Sequence, residues 1–202
     1  LEKGAYRGRV ESARALISGL PALESVAARV EVWADRVEFP EVRAKTALSE
    51  LAASAVVTDL RQPRWSFQYK ARVDAREAAA ALPLPELKAG DIQLEGRANY
   101  AGGEWEAEGK LSAARVAAAD RNFQVHDATI SCQYKLEAGR LSVDGLEARL
   151  LGGEWKGRLD ADLRSRRVAL DGAISGIRLE AVAKALSPRT PVPLPPPTPY
   201  TP

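Results

Sequence analysis

The stretch Ile92-Gln93-Leu94-Glu95-Gly96-Arg97-Ala98-Asn99-Tyr100, the turn Ala101-Gly102-Gly103, and then Glu104-Trp105-Glu106-Ala107-Glu108-Gly109-Lys110-Leu111 decide the fold class. Before the turn, apolar or small residues stand at 92, 94, 96, 98 and 100, with polar ones between them. After it, Trp105, Ala107, Gly109 and Leu111 alternate with Glu104, Glu106, Glu108 and Lys110. A period of two over this length gives a strand with one apolar and one wet face, whereas a helix would scatter the same residues around its circumference. The Gly-Gly pair supplies the positive φ that a tight hairpin needs.

The rhythm extends outward. Ala128, Ile130, Cys132, Tyr134 and Leu136 share a parity, and Glu137-Ala138-Gly139-Arg140 reads as a turn. Strands follow through Leu141–Val143 and Leu146–Leu150. Gly152-Gly153 then leads into Trp155, Gly157, Leu159, Ala161 and Leu163, and Val168, Leu170, Gly172 and Ile174 complete the run. Upstream, Trp65, Phe67, Tyr69, Ala71 and Val73 alternate with polar residues, and Val26–Ala34 and Val37–Ala44 are weaker strands. Residues 1–25 carry no pattern that places them.

Helix is rare. Ala75–Leu82 is Ala-rich, follows a plausible N-cap in Asp74 and meets Pro83 and Pro85; Leu179–Leu186 is stopped by Pro188. Each is about two turns, too short to stand alone in water, so each is expected to dock on an end or edge of the sheet. Two echoes point to repetition. Gly-Gly-Glu-Trp occurs at 102–105 and again at 152–155, and a strand, short helix and proline recur around 69–85 and 168–193. The tail 188–202 is Pro-rich, which suits a linker or the start of a further unit.

Composition narrows the function. With 46% hydrophobic and 28% charged residues the chain can bury apolar surface. The 29 basic and 27 acidic residues interleave along the strands, which argues against a nucleic-acid footprint. The local basic knot Arg164, Arg166 and Arg167 reads as a solvated hairpin turn. Cys132, the single cysteine, excludes an internal disulfide and suits a small apolar position. The chain starts at Leu1 and contains no Met, so it is expected to be a segment of something longer, with any export signal or anchor outside it.

Chemistry is sparse. His126 has no second His or Cys cluster beside it, so no metal site is expected. No Gly-x-Ser-x-Gly elbow, Gly-x-Gly-x-x-Gly loop or Walker pattern occurs. The row Glu104, Glu106, Glu108 fits a wet strand face better than an acid–base pair. The expectation is a non-enzyme with no catalytic residues and no cofactor. Trp105 and Trp155 follow Gly-Gly turns on the apolar parity, as packing residues or as an aromatic rim for lipid or carbohydrate.

The run Leu150-Leu151-Gly152-Gly153-Glu154-Trp155-Lys156-Gly157-Arg158-Leu159-Asp160-Ala161-Asp162-Leu163, continued by Val168 to Ser175 and Gly176 to Leu186, resembles the AsmA/TamB family of bacterial envelope proteins. The shared feature is a cadence of leucine, Gly-Gly, strand, hairpin, strand, glycine and short helix. Ser66–Tyr100 is similar to the same cadence one unit earlier, and residues 112–119 and 1–25 fit it poorly. The resemblance implies a mainly β fold, an elongated, curled antiparallel sheet or open β-groove with two short capping helices. It implies groove repeats over 61–187, after a strand-rich part at 1–60 and before the tail at 188–202. It also implies a periplasmic, inner-membrane-anchored setting and movement of phospholipid acyl chains between the inner and outer membranes. Outer-membrane assembly proteins are further partners in one branch.

On that reading the lipid-facing residues are Ile92, Leu94, Ala98, Tyr100, Trp105, Ala107, Leu111, Ile130, Tyr134, Leu141, Val143, Trp155, Leu159, Leu163, Val168, Leu170 and Ile174. The small inward residues Ala98, Ala107, Gly109, Ala128, Gly157 and Ala161 would leave room between bulkier walls. The competing readings are a periplasmic scaffold for outer-membrane protein assembly and an adhesin-like binding module.

Overall fold

The computed structural model describes residues 6–15, 21–82, 84–165 and 167–186. The strands are β1 (Tyr6–Ser12), β2 (Ser25–Val32), β3 (Arg36–Lys45), β4 (Glu50–Thr58), β5 (Arg64–Asp74), β6 (Leu87–Ala101), β7 (Glu104–Ala119), β8 (Gln124–Glu137), β9 (Arg140–Leu150), β10 (Gly153–Asp162) and β11 (Arg167–Ser175). Two helices, α1 (Ala75–Ala81) and α2 (Leu179–Ala185), interrupt them. All eleven strands form one antiparallel meander in sequence order. The sheet is mainly β, curled and open, in agreement with the sequence.

Register places the apolar parities in transverse rows. One row runs Phe67, Ala98, Ala107, Leu136, Leu141, Ala161, Val168 across β5 to β11. Another runs Ile92, Ala113, Ile130, Ala148, Trp155, Ile174. A third, through Tyr69, Gly96, Gly109, Tyr134, Val143, Leu159 and Leu170, crosses the middle. The rows continue into β4 and β3, where Val57, Ala55 and Ala53 oppose Trp65, Phe67 and Tyr69 and face Val37, Phe39 and Val42. Slipping any strand by one residue would turn its apolar set to water, which fixes the register.

The opposite face reinforces it. Arg97 pairs with Glu108 at 2.5 Å, Arg158 with Asp171 at 3.1 Å and Arg29 with Glu41 at 3.3 Å, each directly across the ladder. Such exposed pairs are individually worth less than about 1 kcal/mol, so they select register more than they add stability.

Two glycine pairs crease the sheet. Gly96 lies opposite Gly109, and Gly157 opposite Gly172. A Cβ on Gly96 would stand 3.0 Å from the Cα of Gly109, and one on Gly157 would stand 2.9 Å from the Cα of Gly172. At these points the strands are drawn together on the apolar side, so the sheet bends toward that face. The Tyr69 and Tyr134 hydroxyls reach from the flanking strands over the first pair and hydrogen-bond each other. The Trp155 indole covers the second, its Nε1 2.5 Å from where a Cβ of Gly172 would lie. Aromatic rings here replace the packing the glycines lack.

The helices sit on the same rim. Asp74 caps α1, its carboxylate accepting from the Arg76 N–H at 2.9 Å. The Arg76 guanidinium beside it holds that carboxyl below its ordinary value. Glu77 then ties α1 to the β3–β4 turn, accepting from the hydroxyls of Thr46 and Ser49 and from the Leu48 N–H at 3.3 Å. α2 starts at Arg178 without a side-chain cap and packs on β8.

Several expectations change. The line at residue 60 falls in the hairpin turn between β4 and β5, and the sheet runs across it unbroken. The two Gly-Gly-Glu-Trp copies are not equivalent. The first is the β6–β7 turn, with Gly102 and Gly103 both at positive φ; the second starts one position later in its turn, at Leu151 and Gly152, with Gly153 already in β10. They lie on opposite rims, because three chain reversals carry β7 into β10 through β8 and β9, and an odd number of reversals inverts direction. Residues 112–119 continue β7, kinked at Arg115. Arg164 lies in the β10–β11 turn and Arg167 opens β11, while Arg166 and the tail lie outside the described residues.

Gly109→Ala is expected to lower unfolding free energy by about 2–4 kcal/mol through the clash at the crease. Gly103→Ala meets open space and should cost only about 1 kcal/mol, for its positive φ. Urea midpoints of the two variants check this.

Candidate functional site

The apolar face has no second layer over it among the described residues: α1 touches β5 and β6, α2 touches β8, and the extensive strand contacts are all between sheet neighbours, with the side chains of Phe67 and Trp105 and of Tyr69 and Tyr134 meeting across the strands between them. The fully buried positions are correspondingly small or few. Ala55, Ala75, Ala113, Ala128, Ala148, Ala161 and Ala185 are buried with Val57, Val116 and Leu146, and no large side chain is completely enclosed. A filled sandwich would enclose its Leu, Ile and Phe side chains between two sheets about 10 Å apart. Here those residues are half-covered by their own neighbours, which leaves a continuous apolar band.

Sixteen of the seventeen residues expected to face lipid lie on this band: Ile92, Leu94, Ala98 and Tyr100 on β6; Trp105, Ala107 and Leu111 on β7; Ile130 and Tyr134 on β8; Leu141 and Val143 on β9; Trp155 and Leu159 on β10; Val168, Leu170 and Ile174 on β11. Leu163 is the exception. β10 ends at Asp162, and Leu163 enters the turn, exposed, with its N–H donating to the Gly139 carbonyl at 2.9 Å. The β11 edge is open, with Val168, Leu170 and Ile174 exposed by 65%, 56% and 64%.

Chemistry differs along the strand direction. On the rim formed by the β4–β5 and β6–β7 turns, Trp65, Phe67, Trp105 and Tyr100 form a chain of rings with centroids 5.6, 5.8 and 4.8 Å apart. On the helix rim, Ala113, Val116 and Ala128 form a small core with Leu87, Ile92, Val125 and Leu150 against it. Between them lies the Tyr69–Tyr134 hydroxyl pair. Partial burial and the hydrogen bond it shares with Tyr69 raise the Tyr134 hydroxyl well above the ordinary tyrosine range. Cys132 shares the face, and its thiol is pushed up by burial, so it is a small apolar filler with little thiolate character.

The charged face holds an open depression of about 1000 Å³ across β3 to β9, walled by residues such as Arg43, Lys70, Glu95, Arg97, Glu108 and Lys135. Its charges are largely spent on each other, as in Arg97 with Glu108 and Arg43 with Glu41 at 2.7 Å. Two members of the carboxylate row are likewise engaged, Glu108 by Arg97 and Glu104 by Arg164 at 3.6 Å. Among the described residues no cluster of His, Cys, Asp and Glu is placed to hold a metal ion.

Sequence reasoning read Gly109 and Gly157 as inward residues that leave room, but left Tyr69 and the partners Gly96 and Gly172 out of the candidate site. Their signal was the glycine on the apolar parity of adjoining strands, which becomes a pair only once register is known. No family model, curated protein or solved structure matches this chain.

The Tyr134 hydroxyl should ionise above the ordinary tyrosine range in a tyrosinate absorbance titration of the folded protein. Because its folded pKa is raised, its stabilisation is complete below about pH 10 and is lost as pH rises through the folded value. Tyr134→Phe should remove that late step from the titration and flatten the alkaline loss of stability.

Proposed function

We propose that this chain is part of a periplasm-spanning protein whose apolar groove conducts phospholipid acyl chains between the inner and outer membranes. The observation that carries the reading is the uncovered apolar face continuous over eleven strands. At about 4.8 Å per strand the band is about 48 Å across, well beyond the roughly 15 Å of one bilayer leaflet's hydrocarbon. An acyl chain of about 15 methylenes, at about 0.8 kcal/mol each, faces roughly 12 kcal/mol on entering water. A continuous apolar band removes most of that barrier without chemistry.

The face is suited to passage more than to capture. Its rows mix Ala and Gly with Leu, Ile and aromatic residues, so it offers area without a deep pocket that would hold one guest tightly. No helix among the described residues is long and apolar enough to cross a membrane, so anchoring, in this reading, belongs to other parts of the protein. No catalytic residue and no cofactor enters this reading.

Photo-crosslinkers at Leu94, Leu111 and Leu159 are expected to give lipid adducts in cells. Protein adducts alone at all three positions would overturn the reading in favour of a scaffold or adhesin-like module. Leu170→Asp tests passage separately from folding, because Leu170 is already 56% exposed. It should cut lipid transfer between vesicles at least about tenfold while changing stability by less than about 0.5 kcal/mol.

A further inference from the structure

The helix rim holds a second cavity, of about 490 Å³, between α2, the start of β8 and the β9–β10 turn. Three basic side chains line it, Arg149, Arg178 and Lys184, with one carboxylate, Asp127, and the imidazole of His126. Arg149 is engaged by Glu154 at 3.4 Å. Arg178 and Lys184 have no carboxylate within ion-pair distance among the described residues, unlike Arg43, Lys70 and Arg97 in the large depression.

Arg178 is held in place by backbone shape. Gly152, at φ 77°, lies beneath its guanidinium, and a Cβ there would stand 2.6 Å from Nε. The Arg178 N–H also donates to the Leu151 carbonyl at 3.4 Å. Its side chain makes no cap bond to α2, so the guanidinium is free for a ligand.

The cavity also adjoins the apolar band. Leu150 lines it and at the same time packs on the Ala113, Val116 and Ala128 core at the end of the groove. Two unpaired cations beside an apolar surface fit an amphiphile whose head is anionic.

We propose that this cleft binds a phosphate group, carried as the head of an amphiphile whose acyl chains lie on the apolar band beyond Leu150. The inference rests on the lipid reading above and adds the headgroup class: a phosphate facing Arg178 and Lys184. The guanidinium supplies paired N–H donors and the ammonium a mobile point charge.

The test titrates the chain with three probes, following tryptophan fluorescence: dihexanoyl phosphatidate, the uncharged dihexanoylglycerol, and inorganic phosphate. The expected result is phosphatidate binding that weakens at least tenfold in Arg178→Gln/Lys184→Gln, with dihexanoylglycerol binding unchanged by the same substitutions. Equal phosphatidate affinity in the wild type and the variant would overturn the headgroup site while leaving the apolar groove standing. Inorganic phosphate binding as tightly as phosphatidate would assign the cleft to the free anion and overturn its link to lipid. Failure of both lipid probes to bind would overturn the groove itself. Circular dichroism of the variant keeps loss of fold separate from loss of site.

Discussion

A sheet with one apolar face normally finds a second layer to cover it, and the shape of this protein follows from doing without one. Eleven strands can share one continuous apolar band only if each keeps its parity in register with the next. Both faces enforce that condition. On one, a slip would expose a whole row; on the other, it would separate Arg97 from Glu108 and Arg158 from Asp171. With no opposing layer, the remaining way to reduce apolar exposure is to bend the sheet toward its own apolar side. The paired glycines allow that bend, because a side chain at either member would strike the neighbouring strand.

The bend in turn explains the aromatics. Removing four Cβ atoms leaves bare backbone in the middle of the band, and Tyr69, Tyr134 and Trp155 lie over it. Tyrosine suits the central crease because its ring is apolar while its hydroxyl can be satisfied by an identical partner from the opposite side. Phenylalanine would cover the same area without linking β5 to β8. The hydroxyl pair therefore joins two strands that share no backbone hydrogen bonds, across the two that separate them.

The alternation that made the fold legible is strongest where side chains differ most. Ile92 to Leu111 could be read residue by residue, and β5 to β11 followed from the same contrast. β4 was missed because Glu50-Leu51-Ala52-Ala53-Ser54-Ala55 opposes small residues to small residues, which blurs the parity. β1, with Tyr6, Gly8 and Val10 against Arg7, Arg9 and Glu11, does alternate, but it is short and stands alone among residues without a pattern. The helices were legible from their composition and from the Asp74 cap. Leu163 was misplaced because a parity count continues through a turn that the backbone does not. The Gly-Gly-Glu-Trp echo misled for a related reason: identical letters say nothing of strand direction, and an odd number of reversals separates the copies.

An antiparallel meander also sorts its connections onto two rims, and here the rims have different chemistry. One rim carries the stacked rings of Trp65, Phe67, Trp105 and Tyr100 beside tight turns. The other carries α1, α2, a small aliphatic core and the free cations of Arg178 and Lys184. A guest lying along the band would therefore meet indole edges on one side and cationic groups on the other. That asymmetry gives an amphiphile a preferred orientation across the groove, head toward the helix rim, while the uniform apolar rows between the rims still let its chains slide from strand to strand. On the proposed reading, orientation comes from which turns carry helices and so place Arg178 and Lys184 on one rim, while the apolar rows themselves hold no deep pocket for an acyl chain.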